Sequence, residues 1–330
     1  RYTMADLKYR GFQESDIKDI VKIANLLAER DGEDPSFSEE MLQHIITMPM
    51  INPQDDFFTY IDDKNAIIGA TLSMVNPRTG QAQAVYLLHP DCDESVYKPF
   101  MLEKSVARVR EVGEREVPED TPLYVMTGIE DKESNAYDRE LYESEGFTEN
   151  RRFYEMRIDL DTPIEQPAPL DGLELRPFDK DAHARAVHAA QQESFRDHFG
   201  HAEARPFDEW AHRFDAPNFD PTMWYIVWDK AQDEVAGFSL CEMHPAIDDM
   251  AEVGLLGVRR PWRKRGLGMY LLQVSFYDFQ QRGVPRASLG VDAASKTNAV
   301  ALYERAGMHV HKCSILYRKI LRGNAEDIIE

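Results

Sequence analysis

The residues best suited to chemistry lie near the C-terminus, in the run Glu252-Val-Gly-Leu-Leu-Gly-Val258, Arg-Arg-Pro-Trp, Arg263-Lys-Arg-Gly-Leu-Gly268 and a long amphipathic segment. This pattern predicts a strand that ends in a basic, glycine-containing turn and enters a helix directly. Such a turn aims several backbone N–H groups and the positive end of the helix dipole at one point, which suits a phosphate or pyrophosphate. Gly266 and Gly268 let the backbone approach a ligand without a Cβ in the way. Arg263, Lys264 and Arg265 add positive charge to an otherwise acidic chain. The spacing is neither the dinucleotide Gly-x-Gly-x-x-Gly nor the P-loop with its Lys-Ser/Thr.

A second segment follows. Ala287-Ser-Leu-Gly-Val-Asp292 reads as a short buried strand, and Ser295-Lys-Thr-Asn-Ala-Val-Ala-Leu-Tyr-Glu-Arg-Ala-Gly-Met308 as a loop, a helix opening near Asn298 and a stop at Gly307. The pair of segments resembles the GNAT acetyltransferase superfamily: Arg-x-x-Gly-x-Gly after a strand resembles its acetyl-CoA signature. Asn298, Ala301, Tyr303 and Gly307 fall where its second cofactor segment places them.

The resemblance implies acetyl-CoA as co-substrate and an amine as acceptor. Leu256, Gly257 and Val258 would polarise the thioester carbonyl and pair with the pantetheine amides through their backbone. Arg263, Lys264, Arg265, Gly266, Leu267, Gly268 and Met269 would hold the pyrophosphate. Asn298 would bind the pantetheine or phosphate arm, although as a helix cap it also has a local role. A free alkyl amine has a pKa of about 10 and needs a base near neutral pH. Glu252, on the strand leading into the turn, is the candidate base, with a surface glutamate as the structural reading and Glu242 as the alternative base. Tyr303 is the candidate acid for the departing thiolate, or else a core tyrosine.

The stretch from Glu193 to Trp210 is expected to wall the acceptor site, with Phe195, Asp197, His198 and Phe199 facing a substrate; packing is the competing role for its aromatic residues. His198 with His201, and His309 with His311, have spacings that metals use, but no third ligand stands in an obvious pattern, so no metal is expected. No Gly-x-Ser-x-Gly or catalytic cysteine context suggests hydrolase chemistry.

The composition fits a folded soluble protein. The 330 residues are 43% hydrophobic and 29% charged, within the ordinary globular range. A net charge of −21 argues against nucleic acid, which needs a broad basic surface. It is compatible with a cationic small substrate, though acidic surfaces also serve solubility. No apolar run approaches a membrane span, no charged-then-apolar leader stands at the start, and Met4 is a candidate start. Cys92, Cys241 and Cys313 are scattered, so a reducing cytoplasm is expected. A homodimer is compatible with all of this.

The chain repeats itself with a period of roughly 165 residues. Leu7–Phe12 matches Leu173–Phe178, each a strand before an acidic cap and a helix, at 17–28 and 182–195. The hairpin 57–62/67–72 matches 224–229/235–240, and 135–147 echoes 298–308. The proline-containing run Asp159–Asp171 separates the copies. The expected domains are 1–160, a linker 161–171, 172–322 and a polar tail 323–330. Each domain should be mixed α/β, with a mainly antiparallel sheet flanked by helices. The first copy lacks the phosphate turn: after the strand Ala82–Leu88, the residues Asp91, Asp93 and Glu94 would repel a pyrophosphate. It is expected to shape or cover the active half, or only to stabilise the chain or its oligomer. The tandem layout resembles mycothiol synthases and their relatives. A protein acetyltransferase and a non-catalytic acyl-CoA-binding protein are the competing readings.

Overall fold

The computed structural model describes residues 7–35, 37–48, 50–196, 205–295 and 298–328. The chain divides into two compact units, one running to Arg151 and taking in the segment from Ser314 on, the other Arg152–Cys313.

The first copy of the repeat contains β1 (Lys8–Gly11), α1 (Ile17–Arg30), α2 (Glu39–Ile45), α3 (Pro53–Asp56), β2 (Phe57–Ile61), β3 (Ile67–Val75), β4 (Gln81–Leu88), α4 (Glu94–Glu116), β5 (Leu123–Glu130), α5 (Ala136–Ser144) and β6 (Thr148–Asp159). The second contains β7 (Leu173–Pro177), α6 (Lys180–Phe195), α7 (Phe207–Ala211), β8 (Trp224–Asp229), β9 (Glu234–Met243), β10 (Met250–Val258), α8 (Leu267–Gln281), β11 (Arg286–Asp292), α9 (Ala299–Arg305) and β12 (His309–Arg322).

Across the first unit the strands run β1-β2-β3-β4-β5-β12, and across the second β7-β8-β9-β10-β11-β6. Within each unit neighbouring strands are antiparallel except at one place, β4 beside β5 and β10 beside β11. The expected mixed, mainly antiparallel architecture in two copies is therefore present.

Local signals explain the main elements. Asp179 caps α6, its carboxylate accepting from the N–H groups of Asp181 and Ala182 at 2.9 Å, which satisfies donors a helix start leaves open. On α8, Leu267, Leu271, Leu272 and Phe279 are buried against Ala251, Val253, Leu289 and Val291 of the sheet. Gly307 ends α9 at φ +96°, a left-handed stop that glycine takes without Cβ cost.

The linear domain limits need correction. Phe153–Asp159 of β6 pair with β11 in the second unit, and Ser314–Arg322 of β12 pair with β5 in the first. The two copies thus exchange their last strands. A strand's sequence specifies its two faces but not which ladder receives it, so either sheet can seat it if the faces match. Met156 is buried in the second unit's core, and Ile315 and Tyr317 in the first's.

The proline-containing run is laid against the second unit. The Gln280 amide donates to the carbonyls of Leu160 and Thr162 at 2.8 and 2.9 Å, and its oxygen accepts from the Ile164 N–H at 2.8 Å. After β12 a short 3-10 turn, Ala325–Asp327, is capped by Asn324.

The exchange makes a sharp test. Met156→Ala, in the N-terminal half of the sequence, should destabilise the second unit by about 2–5 kcal/mol. Hydrogen exchange should show protection lost in β8–β11 and retained in β2–β5.

Candidate active site

The site is built where β10 leaves β11. The two strands pair in parallel only through Met250, Ala251 and Glu252, opposite Arg286, Ala287 and Ser288. Beyond Glu252, β10 continues with β9 alone, and its register slips between Val253 and Leu255 in a β-bulge. The Arg259 N–H donates to the Ala236 carbonyl at 3.0 Å, which continues the register of Val258 with Gly237. Antiparallel alternation then directs the backbone groups of Leu255 and Gly257 toward β9, and those of Leu256 and Val258 toward the side from which β11 has diverged. Of the three backbone positions expected to serve a ligand, Leu256 and Val258 therefore face the opening. Gly257 instead makes room within the protein, since a Cβ there would run into the ring of Phe238.

The turn after β10 is anchored from below. Trp262 is buried and donates its indole N–H to Asp229 at 2.9 Å, while the Arg259 guanidinium lies over its ring at 5.0 Å. Arg263 turns back into the protein, donating to the carbonyl oxygens of Val258 at 3.0 Å and Ser194 at 3.1 Å. It thereby holds the turn in place rather than presenting its charge freely. Lys264 and Arg265 are exposed. Gly266 sits at φ +80° as the residue before α8, and no side chain caps that helix. The first N–H groups of a helix have no intrahelical acceptor, so Leu267, Gly268 and Met269 present donors and the positive end of the dipole to an anion. At Gly268 the reason for glycine differs from the expected one: a Cβ there would lie 3.2 Å from Leu302 and 3.9 Å from Val258. Gly268 thus lets α8, α9 and the end of β10 close together.

Glu252 is half-buried and faces Glu242 directly across the β9–β10 ladder. Burial, then the charges of Glu242 and Glu155, push its carboxyl up to about 7. Glu242 is also raised by burial, against the opposing pull of Arg213. Glu155 comes from the exchanged strand β6 and is bound by Arg157 at 2.5 Å. Sequence reading missed both Glu155 and Arg213. Glu155 lies far from the motif along the chain, and only the pairing of β6 with β11 brings it near.

Tyr303 lies on α9, buried in the second unit's core, and burial raises its hydroxyl to about 12. It is protonated at neutral pH and available as a donor. Asn298 precedes α9 at φ +56° and makes no side-chain cap bond, so the capping role is not the one it fills. Phe195 stacks on Phe238, with ring centroids 6.3 Å apart, in the aromatic cluster of Phe178, Trp210 and Trp224. That contact is packing. Asp197, His198, Phe199 and His201 lie outside the described residues, and His309 and His311 are exposed on β12.

The first unit opens its sheet at the same place, β4 pairing with β5 only through Gln81–Gln83, but no phosphate turn follows. Asp93 caps α4, accepting from the Ser95 N–H at 3.0 Å, so a carboxylate occupies the position an anion would take. In the opening, Tyr86 donates to Asp138 at 2.5 Å and Lys98 donates to Asp138 at 2.7 Å.

The second unit thus combines a split sheet with an open strand edge, an uncapped helix start and a half-buried carboxyl. Residues 184–308 match the sequence profile of the acetyltransferase (GNAT) family. Over 186 residues the chain is 33% identical to a mycothiol acetyltransferase of Streptomyces avermitilis, covering 54% of this chain and 57% of that protein. It is 35% identical over 160 residues to one of Salinispora tropica, covering 48% and 51%. The chain thus spans about half the length of the curated relatives it matches. Among solved structures, a GCN5-related N-acetyltransferase from Sphaerobacter thermophilus superposes with a TM-score of 0.80 at 25% identity over 96% of both chains. A tandem GNAT protein from the clavulanic acid biosynthesis pathway superposes with a TM-score of 0.70 at 14% identity, covering 97% of this chain and 100% of that one, a likeness of fold. Residues 184–308 are thus similar to the GNAT acetyltransferase family, and the fold as a whole is like that of tandem GNAT structures. Among the described residues, no helix is long and apolar enough to cross a membrane.

The uncapped start of α8 gives a direct test. Gly266→Asp adds a negative charge where the helix presents its donors, and places a side chain at a left-handed position. Calorimetric titration with acetyl-CoA should give one site per chain in the wild type and lose it in the variant. Two equivalent sites, or unchanged binding in the variant, would contradict the assignment.

Proposed function

We propose that the protein is an acetyl-CoA-dependent N-acetyltransferase that transfers the acetyl group to a primary amine of a small molecule by direct attack on the thioester. The observation that carries this reading is Glu252, a carboxyl poised at about 7 where β10 parts from β11. A general base works best when its pKa lies near the working pH, and an ordinary exposed glutamate near 4.3 is too weak for an amine. The names of the relatives support a small acceptor.

The residues fit the co-substrate. The N–H groups opening α8, with Lys264 and Arg265, would hold its pyrophosphate, and the outward backbone groups of Leu256 and Val258 would pair with its amide-bearing arm. Bound there, the co-substrate supplies an activated acetyl group as a thioester. Glu252 takes the ammonium proton of the acceptor, directly or through a water, and so presents a neutral nucleophile. The N–H groups of Leu256 and Val258 face the side where a carbonyl oxygen would gain charge. Tyr303 donates a hydrogen bond to the departing sulfur. At about 12 its hydroxyl is a far weaker acid than an alkyl thiol near 8.5, so stabilisation of the thiolate precedes any full transfer of the proton.

Both roles are separable in kinetics. In the wild type, kcat/KM should rise with pH through about 7, as the Glu252 carboxyl ionises. Glu252→Gln should lose most activity near neutral pH and recover part of it in alkaline solution, where the amine is neutral without a base. The defect should be largest for acceptors of highest pKa. A wild-type pH–rate profile in the variant would make Glu252 structural.

Tyr303→Phe keeps the ring in the core and removes only the hydroxyl. Turnover should fall by about 10²- to 10⁴-fold while acetyl-CoA binding changes little. A rate within a few-fold of wild type would leave Tyr303 a packing residue.

A further inference from the structure

Glu242 is more than a neighbour of the candidate base. It stands directly opposite Glu252 in the β9–β10 ladder. The His244 N–H donates to the Met250 carbonyl at 2.8 Å, which makes Glu242 and Glu252, two residues along each strand, a hydrogen-bonded pair whose side chains leave the same face. Cross-strand partners of this kind hold their Cβ atoms about 4.5–5.5 Å apart, and like charges there oppose one another. One carboxylate oxygen of Glu242 reaches over the bulge to 3.7 Å from the Cβ position of Gly254, so the side chain extends along the strand toward the opening. A like-charged pair placed here raises the energy of whichever carboxylate ionises second.

Which one ionises second is decided by what surrounds the pair. Arg213 favours the charged form of Glu242. Its guanidinium is held on the aromatic wall, with Nε donating to the Trp210 carbonyl at 3.1 Å and the group lying over the Trp210 ring at 4.8 Å. Burial and the charge of Arg205 in turn lower Arg213 to about 10, still well above neutrality. Glu252 is acted on instead by Glu242 and by Glu155 of β6. Glu155 is paired with Arg157, and Ser288 on β11 adds no charge. Arg213 on Glu242, and Glu242 and Glu155 on Glu252, are the charges that act on the two carboxyls, while His212 and Asp215 of the turn carrying Arg213 pair with each other at 3.4 Å.

We propose that Glu242 is the positioning residue that poises Glu252 as the base, with Arg213 opposing the effect of burial on Glu242 and so favouring its ionised form. The inference rests on the acetyltransferase reading for its role in turnover, but not for its electrostatics. The two carboxylates titrate as a pair. Removing the Glu242 charge makes Glu252 easier to ionise, so that it is deprotonated at lower pH but is a weaker base. Removing the Arg213 charge makes the pair harder to ionise. The two changes push the same titration in opposite directions, which a packing role would not do.

The test uses the full chain with Glu242→Gln, Arg213→Met, Glu252→Gln and the Glu242→Gln/Glu252→Gln double variant. In the pH–rate profile with an amine that the wild type acetylates, Glu242→Gln should move the acidic limb to lower pH by on the order of one unit. Arg213→Met should move it to higher pH. The second readout is thermal unfolding against pH without any substrate. Glu252 has a folded pKa raised above its unfolded value, so the folded state holds its proton longer. Its contribution is therefore fully present below the unfolded value and is lost as pH rises toward about 7. The difference between wild type and Glu252→Gln isolates that loss. The same difference measured in the Glu242→Gln background should be complete at lower pH. Absence of transfer to every amine tried would defeat the acetyltransferase reading, and the unfolding curves would still decide the electrostatic one. Unfolding differences that coincide in the two backgrounds, or limbs that shift in the same direction in the two single variants, would overturn the role given to Glu242.

Discussion

The site depends on how briefly β10 keeps company with β11. Parallel pairing ends at Glu252, and the bulge between Val253 and Leu255 follows at once. The bulge changes which residues face which side, because one extra residue reverses the alternation of a strand. Before it, Ala251 and Val253 pack toward α8. After it, Leu256 and Val258 do so, while Leu255 joins the aromatic cluster on the other face. Glu252 is thereby left on the face of that cluster, while the backbone of Leu256 and Val258 looks into the opening. A strand of regular alternation would put Glu252 and the open backbone in a different relation. Gly257, beneath the Phe238 ring, and Gly268, against Leu302, are the local conditions that let the neighbouring elements close around this geometry.

Much of this was legible in the sequence, because the signals are local. The strand, basic turn and uncapped helix from Glu252 to Gly268 are contiguous, and the left-handed conformations of Gly266 and Gly307 follow from glycine at those points. The twofold repeat was legible too, since each copy repeats its own hydrophobic alternation. What escaped was whatever depends on the partner rather than on the segment. Thr148–Asp159 reads as a strand whichever sheet receives it, so the exchange of β6 and β12 left no mark that a single sequence displays. The contribution of Glu155 was hidden for the same reason. Arg263 was read as a charge for the ligand because its type and spacing suit one. Its bonds to the Val258 and Ser194 carbonyls arise only once α6 and β10 are brought together. Arg213 carried no motif and became visible only through its seat on Trp210.

The two units show opposite ways of dealing with charge in the same architectural opening. In the first, Asp138 is buried but receives hydrogen bonds from Lys98 and Tyr86, and Lys98 is also bound to Glu94 at 2.8 Å. Tyr142, which aligns with Tyr303, sits close by and accepts a hydrogen bond from Thr127 at 3.2 Å. The polar groups answer one another, so that opening requires no ligand. Loss of one partner would leave a charge buried without compensation, at a cost of about 3–5 kcal/mol, so such a cluster resists stepwise change.

In the second unit the corresponding problem is left standing. The charges that act on Glu252 are carboxylates; Arg157 is paired with Glu155, and Arg213, seated on Trp210, acts on Glu242 instead. Holding a carboxyl near neutrality costs stability whenever it ionises, since a shift of one pKa unit is worth about 1.4 kcal/mol. A fold selected only for stability would place a lysine opposite Glu252, as the first unit does for Asp138. That replacement would lower the carboxyl's affinity for a proton. The pair of Glu242 and Glu252, set face to face across one ladder, is therefore the feature by which the second opening differs from the filled one.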